Sequence, residues 1–329
     1  MENKPTTDEA SSEAVDICNE LAVVSQKTRI NQRVDRLTKA YLMMESEDAK
    51  SAGTLGYMAR SVVQATLPHT DPKTSYFERS NGIITLSVMG RPKIGLPFGS
   101  MPRILLAWIC TEAVRTKEPV LYLGRSQNDF LRKLQLPISG YYSNVLKSQA
   151  HRLFSSLITV SAEKDAQISL ENILIAKKAA IFWSPKHPDQ PSLWESELTL
   201  TQDFFEEVTN APVPIDMRAY QALRKSPLAL DIYAWLTYRV FLLHAAGRSH
   251  VVIPWAALML QIGAAYANHN DSEEKKRKQA IANFRAQFLK KLKDVLGLYP
   301  EAKGAVIEVD NGLMIKQAPL HIKRDPRIK

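Results

Sequence analysis

Pro102-Arg-Ile-Leu-Leu-Ala-Trp108 and Pro227-Leu-Ala-Leu-Asp-Ile-Tyr-Ala-Trp235 decide the fold. Each opens an apolar helix at a proline, where the missing N–H sacrifices no hydrogen bond and the fixed φ suits a first turn. Ser100 stands before the first as a candidate N-cap. The two stretches share little beyond Ala107-Trp108-Ile109 and Ala234-Trp235-Leu236. Their downstream neighbours are alike in kind: a short element, a longer helix with a polar or basic outer face, then strands. That order describes a winged helix-turn-helix. The expected fold class is α+β, two tandem winged helix-turn-helix domains behind a partly disordered N-terminal extension.

Working outward, the first unit begins near Gly95 and its apolar helix runs to about Arg115. A strand is expected at 120–123, a second helix from Ser126 to near Leu136, a turn at Pro137-Ile-Ser-Gly140 and a third helix over 141–157. Strands succeed it at 158–161, 168–175 and 179–183. Ser184-Pro-Lys-His-Pro-Asp-Gln-Pro-Ser192 has three prolines in nine residues and reads as an interruption or linker. A strand at 197–200 and a short helix at 202–208 come next. The second unit has helices over 227–246, 254–262 and 273–296, a strand at 251–253 and a polar segment at 268–272. Ala305-Val-Ile-Glu-Val309, Asp310-Asn-Gly312 and Leu313-Met-Ile-Lys316 read as a hairpin with a type I′ turn at Asn311-Gly312, in the position of a wing. Upstream, 1–25 is acidic and Ser/Thr-rich and reads as mobile, 26–48 as a basic helix, 52–66 as a helix, and 77–87 as a turn at Asn81-Gly82 and then a strand. The expected division is 1–50 as extension, 51–195 as the first domain and 196–329 as the second. The units proper lie near 95–183 and 213–322.

The 329 residues carry a net charge of +9, unevenly. Residues 1–25 hold one Lys and six acids, so the remainder holds +14. A surplus of that sign favours a polyanion through counterion release and steering. No apolar run has the length of a membrane span, and the N-terminus lacks a secretory apolar region. Cys18 and Cys110, without metal-ligand spacing, suggest a reducing compartment. A cytoplasmic protein is expected.

Over 273–296, Ile281, Phe284, Phe288, Leu292 and Val295 recur at steps of 3, 4, 4 and 3, which puts them on one helical face. The opposite face carries Lys276, Gln279, Asn283, Ala286 and Lys290, with Lys275 and Lys293 beside it. Residues 275–293 contain eight Lys/Arg and no acid, whereas an ordinary solvated helix mixes its signs. Gln and Asn can bond adenine bidentately, Ala can pack on a thymine methyl, and Lys can reach guanine or phosphate. Over 141–157 the expected buried stripe is Leu146, Ala150, Leu153, Phe154 and Leu157, and the outward face holds Tyr141, Asn144, Ser148, His151 and Arg152. Asn144 and Ser148, near the helix start, are base-contact candidates; Lys147 and Arg152 are phosphate candidates. Taken alone, this second helix fits a plain amphipathic surface about as well. Lys177-Lys178 adjoin it, though such a pair is usually only solvent-exposed.

Catalytic chemistry is not legible. The chain has no GxxxxGK[ST], no His-x-His pair for the metal of a nicking enzyme and no readable carboxylate pair. Tyr141-Tyr142 lacks a metal cluster to make it a nucleophile pair. A non-enzymatic protein without cofactor or metal is expected.

Long strings of this chain resemble the RepA family of bacterial plasmid replication initiators: Gly95-Leu-Pro-Phe-Gly-Ser-Met-Pro-Arg-Ile-Leu-Leu-Ala-Trp-Ile-Cys-Thr-Glu-Ala-Val-Arg-Thr-Lys117, Leu123-Gly-Arg-Ser126, Phe130-Leu-Arg-Lys-Leu134 and Ser226-Pro-Leu-Ala-Leu-Asp-Ile-Tyr-Ala-Trp-Leu-Thr-Tyr-Arg239. Gly56-Tyr-Met-Ala-Arg60, Leu67-Pro-His69 and Phe77-Glu-Arg-Ser-Asn-Gly82 resemble its upstream segments. The resemblance spans roughly 50–322. It departs at Ser139-Gly140, where the family has a Gly-Gly-like turn. It implies binding to directly repeated sites (iterons) in a plasmid origin, opening of an adjacent AT-rich duplex, and recruitment of the host initiator and replicative helicase. By analogy it also implies plasmid copy control through repression of its own promoter as a homodimer. The alternative is a transcriptional repressor with no replication role.

Overall fold

The computed structural model describes residues 49, 53–64, 66–80, 84–164, 167–183, 187, 189–190, 192, 195–210, 212–263 and 274–322. The readings of 1–25 and 26–48, the turn at Asn81-Gly82 and the polar segment 268–272 fall outside them. The architecture is mixed helix and sheet around one continuous apolar core.

Two helices occupy its centre, α2 (Ser100–Thr116) and α7 (Pro227–Ala245). Residues 101–110 of α2 and 228–237 of α7 are all buried. A helix apolar all round must be wrapped on every side. For α2 the wrapping comes from β1 (Leu55–Met58), α4 (Gly140–Phe154), α5 (Gln202–Asn210) and α7 itself. Ser226 caps α7 by accepting from the Ala229 amide at 3.2 Å. The cap expected for α2 is not there. Ser100 is already the first helical residue, and Gly99 precedes it at φ 77° with no side chain to donate or accept.

Three local readings give way to long-range pairing. Residues 52–66, expected as one helix, form β1 and a short α1 (Arg60–Gln64). β1 pairs antiparallel with β9 (Val213–Asp216), and the Tyr57 amide donates to Thr111 Oγ1 at 2.9 Å. The strands after α4 do not close on β4 (Val120–Gly124). Instead β5 (Leu157–Lys164) and β6 (Gln167–Ile173) join β2 (Tyr76–Ser80) and β3 (Ile84–Met89) in a sheet ordered β2-β3-β5-β6. The partner of β4 is β8 (Ser196–Leu200), which also pairs with β7 (Ala176–Ala180). The Pro-rich segment 184–192, read as an interruption or linker, lies mostly outside the described residues; in the chain it stands between β7 and β8, which are antiparallel neighbours. The expected division at 195/196 falls between those same two strands. Leu157, assigned to the buried stripe of a helix over 141–157, lies beyond its end at Phe154 and is an exposed strand residue.

After α7 the chain runs through β10 (His250–Pro254), α8 (Trp255–Ile262), α9 (Glu274–Leu296), β11 (Val306–Val309) and β12 (Gly312–Lys316). β12 sits between β10 and β11. The hairpin is as expected; its turn is not. Val309 pairs with Gly312, so Asp310 and Asn311 form the turn, and none of the residues 310–312 has a positive φ. Gly312 is required for a different reason. A Cβ there would lie 2.3 Å from the Ile253 carbonyl oxygen, so only glycine lets β12 approach β10.

A buried ion pair joins the two central helices. Arg103 on α2 donates Nε to Asp231 Oδ1 at 2.6 Å and Nη2 to Asp231 Oδ2 at 2.7 Å, Asp231 being on α7. The guanidinium also donates to the carbonyls of Leu67 (2.6 Å) and Gly99 (2.7 Å), and His69 Nε2 lies 2.7 Å from Asp231 Oδ2. Burial pushes the Asp231 carboxyl up, but the Arg103 charge and the hydrogen bonds from His69 and Arg103 outweigh it and hold the group ionised. Burial outweighs the Asp231 carboxylate at His69 and pulls that imidazole down, towards its neutral form.

Candidate nucleic-acid interface

In the C-terminal unit, α9 lies across α7 and α8 through one apolar face. Phe284, Phe288, Leu292 and Val295 are buried and Ile281 is half-buried, as the periodicity requires. Phe288 meets the Trp235 ring edge-on at 6.1 Å and the Trp255 ring at 5.6 Å. With that face fixed inward, the opposite face has to be exposed. Lys275, Lys276, Gln279, Asn283, Ala286, Lys290 and Lys293 are all exposed. Gln279 Nε2 donates to Asn283 Oδ1 at 3.0 Å. One amide pair is therefore pre-set along the helix axis, with the Gln279 carbonyl and the Asn283 amide nitrogen not engaged in that bond. Lys278 pairs with Glu274 at 2.6 Å and Arg285 with Glu308 of β11 at 2.5 Å. The latter pair ties the helix to the hairpin.

In the N-terminal unit, α4 packs on α2 and α3 (Gln127–Lys133). Ser139 caps it by accepting from the Tyr142 amide at 3.3 Å. Leu146, Ala150 and Leu153 are buried, and Phe154 is half-buried. Gln149, which the apolar pattern passes over, is buried too and accepts from the Phe98 amide at 2.9 Å. Tyr141, Asn144, Lys147, Ser148 and His151 are exposed. Arg152 is turned inward: its Nη1 donates to the Leu96 carbonyl at 3.0 Å, lies 3.5 Å from Asp71 Oδ2, and the guanidinium sits over the Phe98 ring at 5.1 Å. Its contacts hold the loop before α2 onto α4.

Lys147 and His151 open onto a cleft of about 580 Å³ between α4 and the end of β7, whose far wall holds Ile181 and Trp183. Arg91 also lines it. Sequence reasoning misses Arg91 because it stands alone, well upstream, and only the β2-β3-β5-β6 sheet brings it beside α4. Lys178 of β7 is held by Glu197 at 3.2 Å.

The two helices thus present different outer faces, a long and strongly basic one on α9 and a shorter, mostly neutral one on α4. Residues 96–257, from the loop before α2 to the third residue of α8, match the family described as plasmid encoded RepA protein. The resemblance read in the sequence is shown over this stretch, which belongs to that family. No curated protein matches the chain. Among solved structures, a crystal structure of selenomethionine derivatives of domains 2 and 3 of RctB is similar at 14% identity and TM-score 0.44, over 78% of this chain and 95% of that one. A second structure of RctB domains 2–3 gives 13% identity and TM-score 0.43, over 78% and 96%. Likeness at this level decides neither fold nor function. Among the described residues no helix is long and apolar enough to cross a membrane.

Proposed function

We propose that this protein is a plasmid replication initiator that binds repeated origin sites as duplex DNA through two winged helix-turn-helix units. The observation that carries the reading is the outer face of α9, where cations and amides stand exposed beside a hairpin. The sheet order β10-β12-β11 supports a winged unit over 213–322, with β11–β12 as its wing. The order β4-β8-β7 supports a first unit that runs through α5, with β5–β6 as an insertion. The family match over 96–257 supports the role in replication.

In this reading α9 and α4 enter successive major grooves on one duplex face, roughly 10 bp apart. Lys275, Lys276, Lys290, Lys293 and Lys147 neutralise phosphates, which supplies affinity. Gln279, Asn283, Asn144 and Ser148 reach base edges, which supplies sequence choice. Arg152 holds its helix in place and reaches DNA only by leaving its present partners. The protein acts by binding, without a cofactor or a chemical step of its own. Recruitment of the host initiator and helicase, a homodimeric repressor form and a bacterial cytoplasmic location rest on analogy with the family.

Footprinting on the DNA flanking its own gene should reveal direct repeats. A plasmid carrying only that origin should replicate when the protein is supplied in trans. Repeats bound without replication would leave a repressor; nicks or covalent adducts in the presence of divalent metal would overturn the non-enzymatic reading.

A further inference from the structure

In the connector that leads into α7, Leu223-Arg-Lys-Ser226, Arg224 and Lys225 form one wall of a groove of about 700 Å³ whose opposite wall is the outer face of α4. Tyr141, Asn144 and Ser148 line that opposite wall, and the backbone around Ser100 lines its base. Among the described residues, Arg224 and Lys225 are the only charged ones that line the groove. Arg224 donates Nη1 to the Gln221 carbonyl at 3.0 Å, and its Nε is buried with no hydrogen-bond partner. Lys225 is exposed. Two adjacent cations beside a concave surface lined by no carboxylate favour an anion there by direct attraction.

We infer that Arg224 and Lys225 hold neighbouring backbone phosphates of the duplex, one each, between the two units. This deepens the proposed function and rests on it. A strand lying along the N-terminal half of α4 would pass directly over this groove, so the same backbone would touch both units. The connector enters α7 through Ser226, the cap of that helix, and α7 carries α9 on its side. A phosphate seated there would fix where the first unit stands along the DNA relative to the second. Nothing in the sequence marks the pair, because Arg224-Lys225 is an ordinary dipeptide until the fold sets it opposite α4.

The test uses the full chain and a mixed-sequence duplex of about 40 bp, titrated across a salt series. Lys225→Gln should reduce the slope of log K against log[salt] by about one unit, and Arg224→Gln/Lys225→Gln by about two, with Lys225→Arg close to the parent. Ethylation interference should show phosphates that matter to the parent and lose their effect in the double variant. Parental slopes in both variants, alongside a normal loss for Lys276→Ala, would overturn the inference and leave the DNA-binding reading intact. A parent with no salt-dependent binding to this duplex would overturn both. Urea midpoints separate misfolding from lost contacts. If the double variant shifts its midpoint, the Lys225→Gln slope decides.

Discussion

In the C-terminal unit β10 leads straight into α8, and the hairpin β11–β12 that follows α9 closes back on β10. In the N-terminal unit the strand that closes on β4 is β8, and the hairpin β5–β6 is threaded in before it. Both units nevertheless pack a Phe between two Trp rings. Trp108, Phe130 and Trp183 stand in contact in one, at 4.9 and 5.4 Å, and Trp235, Phe288 and Trp255 in the other. The Phe comes from α3 in the first case and from α9 in the second. Only in the C-terminal unit, therefore, does the aromatic stack orient the basic helix itself. The N-terminal unit orients α4 through the polar contacts of Gln149 and Arg152 with the loop before α2. One central motif can thus be served by different elements, and the choice sets how firmly the outer face is aimed.

The largest expected effect erases the distinction altogether. Asp231→Asn leaves the Arg103 guanidinium buried with no anion and should cost about 3–5 kcal/mol in urea unfolding. Both units should lose structure together, as two spectroscopic probes placed one in each would report. Phe288→Ala removes the ring that aims α9 and should cost about 3–5 kcal/mol. DNA affinity should drop out of proportion to the remaining folded fraction, which the N-terminal equivalent Phe130→Ala should not show.

Gly312→Ala puts a methyl against the Ile253 carbonyl and should destabilise by about 1–3 kcal/mol through strand displacement. At the interface, Asn283→Ala should weaken cognate binding by about 1–3 kcal/mol and relax base choice at one position. Lys276→Ala should weaken all sequences alike and lower the salt slope by about one unit. If Asn144→Ala equals Asn283→Ala in effect, the two units read bases equally and the contrast between them fails.

The smallest effect is on pH. His69 and His321 both have their imidazole pKa lowered, chiefly by burial. The unfolded chain then binds protons first as pH falls below about 6.5, so stability declines on acidification and recovers towards neutrality. His69→Gln should flatten part of that slope in thermal melts, and His321→Gln another part.

The two central helices, both faces of α9 and the hairpin β11–β12 are legible in the sequence because each is written in local periodicity or turn chemistry. The first unit is harder to read. β8 comes more than seventy residues after β4, and no local signal says which of several strands will pair with it. Prolines 185, 188 and 191 mark a break in regular structure, but a hairpin end and a linker break it alike. Gly56 hides β1 for a related reason: a Cβ there would meet Met217 Sδ at 2.5 Å, a demand made by a residue far along the chain. Six of the proposed contact residues on α9 stand where the helical wheel puts them. On α4 the wheel fails at Arg152, because a guanidinium is long enough to reach back to the loop beneath.

The Arg103–Asp231 pair also bears on how this chain can be cut or joined. A fragment ending before α7 would carry a guanidinium suited to burial with nothing to neutralise it, and a fragment beginning after α2 would carry the matching carboxylate alone. Neither half is a portable module. Whatever arrangement of the outer faces of α4 and α9 the fold creates, it is inherited and lost as one piece.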